Sequence, residues 1–332
     1  MCAFAVHQKR ETELPDWAVP VAGRLELVER VIESALDSGV EVASEITAHL
    51  FSAGGKRIRP ALVTLSAAAC GGESSDGRVT SIAAAAELVH TASLLHDDVV
   101  DAASARRGVS TANATWGNTL SVLGGDFLLS KAFSLLAEVG HGGVLSVLSA
   151  AAVSMAESEM LQAVCEGSIE LWQANYWRII RGKTASLMAA CCECGAMLAG
   201  ANPAVRQALR EYGADFGLAF QVTDDLLDVT GSPAQTGKDI GADLVNGKFT
   251  LPVLLAARDG LVPKPLIETG CPSPEDARRI VAAAIECGAA EETRRMAEDY
   301  ADRARRCLEG IPESEHKAAL EVLACSITTR DL

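Results

Sequence analysis

Two short acidic segments carry the first chemical signal in this chain: Asp97-Asp98-Val99-Val100-Asp101 and Asp224-Asp225-Leu226-Leu227-Asp228. On a helix, the first and last Asp of each segment lie four apart on one face, with the middle Asp about 100° round. Three carboxylates this close repel one another and raise each other's pKa unless a cation is present. Oxygen-only ligands suit Mg²⁺, which keeps waters and bridges carboxylates to substrate phosphates. An ordinary solvated helix face explains one such segment equally well. With 18 Asp in the chain, however, a chance match to D-D-x-x-D is expected about 0.05 times, and two matches far less often. The pair is therefore read as a metal site.

Cations stand where phosphates would need them. Lys56, Arg57 and Arg59 lie in a Gly-rich turn (Gly54 to Pro60), whose amides and side chains suit an anion. Arg106-Arg107-Gly108 follows the first acidic segment, Lys183-Thr184 interrupts an apolar run, and Lys238 and Lys248 flank the loop after the second. Each alone reads as a surface cation. Together they set basic residues beside both acid clusters in a protein of net charge −15. That combination describes a site for two diphosphates, one held through metal and one held directly by Arg and Lys. His90 precedes Asp97 by seven residues, two helical turns back on nearly the same face, and is assigned to substrate; His96 points elsewhere and is read as structural.

The elements that must position these groups are helical throughout. Ala, Leu and Glu dominate, and β-branched alternation never persists, so the fold class is all-α. The spacing predicts helices over Arg24 to Leu50, from the Gly-basic turn to about Cys70, and from Arg78 into the first acidic segment. Others follow over Leu120 to Glu138, Val144 to Cys165, Ile169 to Gly200 and Pro203 to Val229, with three shorter ones at the end. Thr230 to Thr250 is rich in Gly and charge and reads as a long functional loop. No internal repeat or linker divides the chain. It is read as one large domain, 1–332, with its core from about residue 20 and a flexible segment over 1–19.

Composition narrows the function. Hydrophobic residues make up 49%, enough for a large core. A pI near 4.9 argues against nucleic acid, which needs clustered Lys and Arg. The ten cysteines are scattered, and Cys191, Cys192 and Cys194 lie in an Ala-rich stretch without a nearby His, so they read as buried thiols. Charges appear by Lys9 and Arg10 with no cleavable signal before them, which places the protein in a reducing cytoplasm. Val139 to Ala156 is uncharged, but its Gly, Ser and His content marks it as a buried core helix rather than a membrane span.

These residues together resemble the trans-isoprenyl diphosphate synthases, or polyprenyl synthetases. Six blocks agree in order: GGKRIRP from Gly54, ELVHTASLLHDDVVDAASARRG from Glu87, WGNTLSVLGGDFL from Trp116, RGKTASL from Arg181, FQVTDDLLD from Phe220, and GKDIGADLVNGKFTLP from Gly237. The resemblance covers nearly the whole chain. It departs at Ala102 and Ala103, where acidic or polar residues are common in the family.

The resemblance implies the isoprenoid synthase fold, a helical bundle around a central substrate cavity with the two Asp motifs facing across its mouth. It implies that Asp97, Asp98, Asp101, Asp224, Asp225 and Asp228 bind Mg²⁺, three ions in all, directly or through water. Arg106, Lys183, Thr184, Gln221, Lys238 and Lys248 would contact the allylic diphosphate, and Lys56, Arg59, His90 and Arg107 would hold isopentenyl diphosphate. Most members are homodimers, and membrane contact would be at most transient, for product release.

Product length depends on what faces the growing tail. The positions one turn before Asp97 are Ala92 and Ser93, both small, where a large aromatic stops elongation early in the family. The expected product is longer than geranylgeranyl diphosphate, and Phe133 is a candidate for the deeper floor. A short-chain farnesyl or geranylgeranyl synthase is the alternative. A terpene cyclase needs aromatic walls to steer cations, and 4% aromatic residues is poor material for that. A non-catalytic subunit of a heteromeric synthase would lack some of these motifs, and a purely structural bundle would need none.

Overall fold

Capping side chains decide where the Ala- and Leu-rich runs become helices. The computed structural model describes residues 14–52, 54–72, 76–106, 108–231, 240–262 and 270–329. A 3₁₀ turn, Asp16–Val21, leads into α1 (Ala22–Ala35) and α2 (Glu41–Ser52), followed by α3 (Ile58–Ala69) and α4 (Gly77–Val100). Asp76 caps α4 by accepting the Arg78 N–H at 2.9 Å. A two-stranded hairpin, β1 (Ala105–Arg106) with β2 (Val109–Ser110), turns through Gly108 at φ 76° and precedes α5 (Ala112–Trp116) and α6 (Asn118–Val139). Then come α7 (Gly142–Cys165), α8 (Ile169–Ile180), a π-helical turn (Arg181–Ala185), α9 (Ser186–Leu198) and α10 (Pro203–Thr230). Asn202 caps α10, and Pro203 sits at its start, where a missing N–H leaves no bond unmade. The chain closes with α11 (Ala242–Val245), α12 (Leu251–Arg258), α13 (Pro274–Glu286), α14 (Ala289–Cys307) and α15 (Glu315–Thr329).

The helix that leads to the first aspartates is sealed. Residues Ile82 to Ala86 of α4 are all fully buried, with α1, α3, α6 and α9 packed around the helix. A second apolar cluster gathers α8, the end of α10 and α12 to α14. Each acidic segment thus ends a helix whose body is fixed by burial, at about 1.5–3 kcal/mol per large apolar side chain.

Several expectations need correction. The run from Arg24 to Leu50 is two helices, because Asp37-Ser38-Gly39 breaks it and the Ser38 hydroxyl takes the Val40 N–H. Ile169 to Gly200 is interrupted by the π turn. Residues 16–19 are not loose: Trp17 and Ala18 are buried in the main core. Residues 1–13 lie outside the described part. The helix over Gly142–Cys165 is not a core helix, since only 28% of its apolar window is buried, against 33% for Asn118–Val139. Both are long and apolar enough to cross a membrane, and both leave apolar side chains such as Val122, Leu123, Leu145, Val153 and Val164 exposed. The cysteine expectation holds: Cys191, Cys192 and Cys194 are free and buried on α9.

Candidate active site

Helix α4 delivers the first acidic segment, and its neighbours divide the three carboxylates between two tasks. Asp98 is only 1% exposed and accepts from Nε and Nη2 of Arg106, at 2.9 and 2.8 Å. The turn after α4, with Ala102 in the left-handed region at φ 47°, brings Arg106 back onto it. Asp97 and Asp101, on the other face, meet cations from distant parts of the chain: Lys183 Nζ lies 3.5 Å from Asp97, and Lys248 Nζ donates to Asp101 at 2.7 Å.

The second segment is divided in the same way. Asp225 is buried and accepts from the Tyr176 hydroxyl at 2.6 Å, the Gln221 amide at 3.1 Å and the Leu251 N–H at 3.2 Å. Burial pushes this carboxyl up to about 7, although all three hydrogen bonds pull the other way. Asp224 is exposed and Asp228 half-buried at the helix end. Asp98 and Asp225 are therefore the two aspartates of the six that are buried and bound to protein partners. They fix the helix ends, whereas Asp97 and Asp101 meet the ammonium ends of Lys183 and Lys248.

The π turn carries Lys183 and Thr184. It is pressed against α7 at Gly182, where a Cβ would stand 1.8 Å from Ser158 Oγ and 2.9 Å from the Ser154 carbonyl oxygen. It is pressed against α10 at Gly217, where a Cβ would come within 2.6 Å of Ala185 Cα. Single π turns inside α-helices frequently mark functional positions. Here the extra residue turns Thr184 toward α10, where its hydroxyl donates to Gln221 Oε1 at 2.8 Å, and Gln221 in turn donates to Asp225. One chain of contacts thus runs from Asp97 through Lys183 and Thr184 to the second segment.

Lys248 is set by a knot of three glycines. Gly167, Gly247 and Gly270 all have positive φ (73°, 71° and 75°), and the Gly167 N–H donates to the Gly247 carbonyl at 3.0 Å. A Cβ on Gly247 would fall 2.9 Å from the Gly167 nitrogen, and one on Gly270 2.8 Å from the Gly167 oxygen. Only glycine permits both the turn and the approach. Lys248 follows directly and reaches across to Asp101.

The other basic group starts at the turn before α3. Arg57 stands in the left-handed region at φ 50° and is held by ion pairs to Glu29 and, at 3.1 Å, to Glu87. This fixes Arg57 as structural and leaves Lys56 exposed and Arg59 half-buried on either side of it. His90 is half-buried one turn beyond Glu87 on α4. Arg107 and Lys238 lie outside the described residues. His96 is structural: its Nε2 lies 3.2 Å from the Val122 carbonyl and 3.5 Å from Asp126, in space that Gly125 leaves open.

Of the residues assigned to the tail, Ala92 has no accessible surface, whereas Ser93 is half-buried and donates to the His90 carbonyl at 2.8 Å. The two do not share an open face, because the packing round α4 closes over one of them. Phe133 is 52% exposed on α6, so this chain does not enclose its ring. Cavities of about 370 and 450 Å³ flank the π turn through Arg181, and neither is lined by a sequence-predicted site residue.

The donor set fits a divalent cation. Burial pushes Asp97 up to about 6; Lys183 pulls it down, while Glu159 and Asp101 add to the rise. Among the described residues no three His, Cys, Asp or Glu side chains converge to hold a metal by themselves. A hard cation here must complete its shell with water and phosphate oxygens, as Mg²⁺ does. Sequence reasoning missed Tyr176, Glu159 and Gln162, each a single polar residue inside a helical run with no motif spacing to mark it.

Residues 40–285 match the polyprenyl synthetase family. The chain belongs to that family. Octaprenyl diphosphate synthase of Escherichia coli is 40% identical over 308 residues, covering 92% of this chain and 95% of that protein. An all-trans-nonaprenyl-diphosphate synthase of Rhodobacter capsulatus is 37% identical, covering 92% and 94% respectively. Among solved polyprenyl synthases, that of Caulobacter crescentus, complexed with calcium and isoprenyl diphosphate, superposes with a TM-score of 0.91. It is 38% identical, with 98% of this chain and 100% of that one covered. The all-α isoprenoid synthase fold expected from the sequence is thereby established.

Proposed function

We propose that this polyprenyl synthetase condenses isopentenyl diphosphate with an allylic prenyl diphosphate, head to tail and in trans, to a product longer than geranylgeranyl diphosphate. The observation that carries this reading is that Lys183 and Lys248 both reach the first Asp segment, while their neighbours Thr184, through Gln221, and Leu251 tie the same two stretches to Asp225. Four distant stretches of sequence thereby bring together carboxylates and ammonium groups, the donor set a metal-bound diphosphate requires. The long-chain relatives support the product length.

Asp97, Asp101, Asp224 and Asp228 would hold the metal, which we take to be three Mg²⁺ ions; when bound they neutralise the diphosphate and ease C–O cleavage. Lys183 and Lys248 donate to the same diphosphate and stabilise the charge that collects on it as it leaves. Thr184, Gln221, Arg106 and Lys238 complete that side, with Arg106 also locking Asp98. Lys56, Arg59, His90 and Arg107 hold isopentenyl diphosphate so that its double bond lies against the allylic carbon; proximity does much of the work. The departing diphosphate, kept in place by Lys183 and Lys248, takes the final proton. Ser93 presents a small side chain to the tail. The exposed apolar faces of α6 and α7 support a homodimer, and the free, buried thiols of α9 suit a reducing cytoplasm.

The test is to incubate the protein with Mg²⁺, isopentenyl diphosphate and farnesyl diphosphate and to size the products by mass spectrometry. A ladder ending beyond geranylgeranyl diphosphate is expected. A single addition would refute the long-chain assignment, and no condensation with any allylic starter would refute the enzyme.

A further inference from the structure

Lys183 is gripped from the side opposite Asp97. Its Nζ lies 2.5 Å from Glu159 Oε2 and donates to Gln162 Oε1 at 3.4 Å, while Asp97 stands farther off than Glu159, at 3.5 Å. The Gln162 amide donates to the other Glu159 oxygen at 3.0 Å, closing a three-membered network. Glu159 and Gln162 are three residues apart on α7 and so present one face to the π turn. Gln162 is buried, and the Glu159 side chain is only 19% exposed, so neither is a casual surface partner.

An ammonium has three N–H donors. Two are taken by α7, which leaves the third for Asp97 or for an incoming phosphate oxygen. Without Glu159, Asp97 would be the nearest remaining carboxylate, and the ammonium would close onto it. A carboxylate locked to Lys183 is a carboxylate the cation must first win back. We propose that Glu159, supported by Gln162, is a positioning residue that holds the Lys183 ammonium off Asp97 and so keeps Asp97 available to the divalent cation. This deepens the proposed function and rests on Asp97 being a metal-facing group.

The experiment is calorimetric titration of Mn²⁺ into the protein with inorganic diphosphate present, without turnover. Glu159→Ala is expected to weaken Mn²⁺ binding about tenfold. Removing a negative charge would weaken a cation by itself, so the decisive comparison is made in a Lys183→Met background. There, Glu159→Ala is expected to change binding by less than about twofold, since there is no ammonium left to restrain. An undiminished tenfold loss in that background would overturn the inference in favour of direct electrostatics, as would unchanged binding in the single variant. Glu159→Asp, which keeps the charge on a shorter arm, should recover part of the affinity if the role is positioning, and none of it would count against us. Because the readout is binding, a failure of the prenyl-transfer reading would show separately, as an inactive wild-type enzyme.

Discussion

Substituting Gly182 by alanine tests whether the π turn sets the reach of Lys183. The new Cβ would lie 1.8 Å from Ser158 Oγ. The hydroxyl could rotate away, but the Ser154 carbonyl oxygen, 2.9 Å off, belongs to the α7 backbone and cannot. Ordinary C···O contacts begin near ~3.3 Å. After the hydroxyl moves, the backbone shortfall is therefore roughly 0.4 Å, and either α7 or the turn must yield. Overpacking of this kind costs about 1–3 kcal/mol of stability. A displacement of 1 Å at a reacting centre costs up to about 10²-fold, so a few tenths of an ångström at Lys183 should lower turnover roughly tenfold. The KM for isopentenyl diphosphate should barely move, because Lys56, Arg59 and His90 sit on other elements. The assay pairs steady-state incorporation of labelled isopentenyl diphosphate with guanidinium unfolding. Ser158→Ala combined with Gly182→Ala should recover part of both losses. A single variant as active and as stable as wild type would refute the claim that close packing at Gly182 places the lysine.

Three further outcomes are expected. Lys248→Met removes the cation that meets Asp101 and should lower kcat by about 10²-fold, the usual loss when one donor to a developing anion is removed; a change under threefold would take Lys248 out of the site. Asp225 has its folded value raised to about 7, above that of an unfolded carboxyl, so its contribution to stability is full at low pH and is lost as pH rises through about 7. In chelator, unfolding between pH 5 and 8 should show the wild type losing more stability than Asp225→Asn, and parallel curves would contradict the burial argument. Ser93→Phe should shorten the product by several isoprene units on mass spectrometry, and an unaltered ladder would mean that the tail does not pass that face.

Much of the site was legible because its chemistry is written in short, chemically extreme strings. The Asp segments, GGKRIRP, RGKT and the lysine-bearing loop each announce charge at fixed spacing, and helix periodicity correctly set the middle Asp apart from its neighbours. Periodicity could not say what that third face would meet. Arg106 reaches Asp98 because the chain turns back after α4, with Ala102 at φ 47° and the Ala103 N–H donating to the Asp98 carbonyl, and Tyr176 reaches Asp225 across 49 residues. The same limit explains Ala92 and Ser93: adjacent small residues look equivalent in sequence, and the packing round α4 covers one of them. It also explains α7, whose even apolarity concealed which side would be covered.

By itself, then, the sequence determined the helical class, the two acidic helix ends, the cations that answer them and the family to which they belong. These follow from local propensity and residue chemistry, which need no partner to be expressed. Only the tertiary structure decided that Asp98 and Asp225 are locked by protein partners, that Lys183 stands on a π turn between Glu159 and Asp97, and that three glycines set Lys248 opposite Asp101. Those are contacts between residues far apart in the chain, fixed by how closely one backbone can approach another.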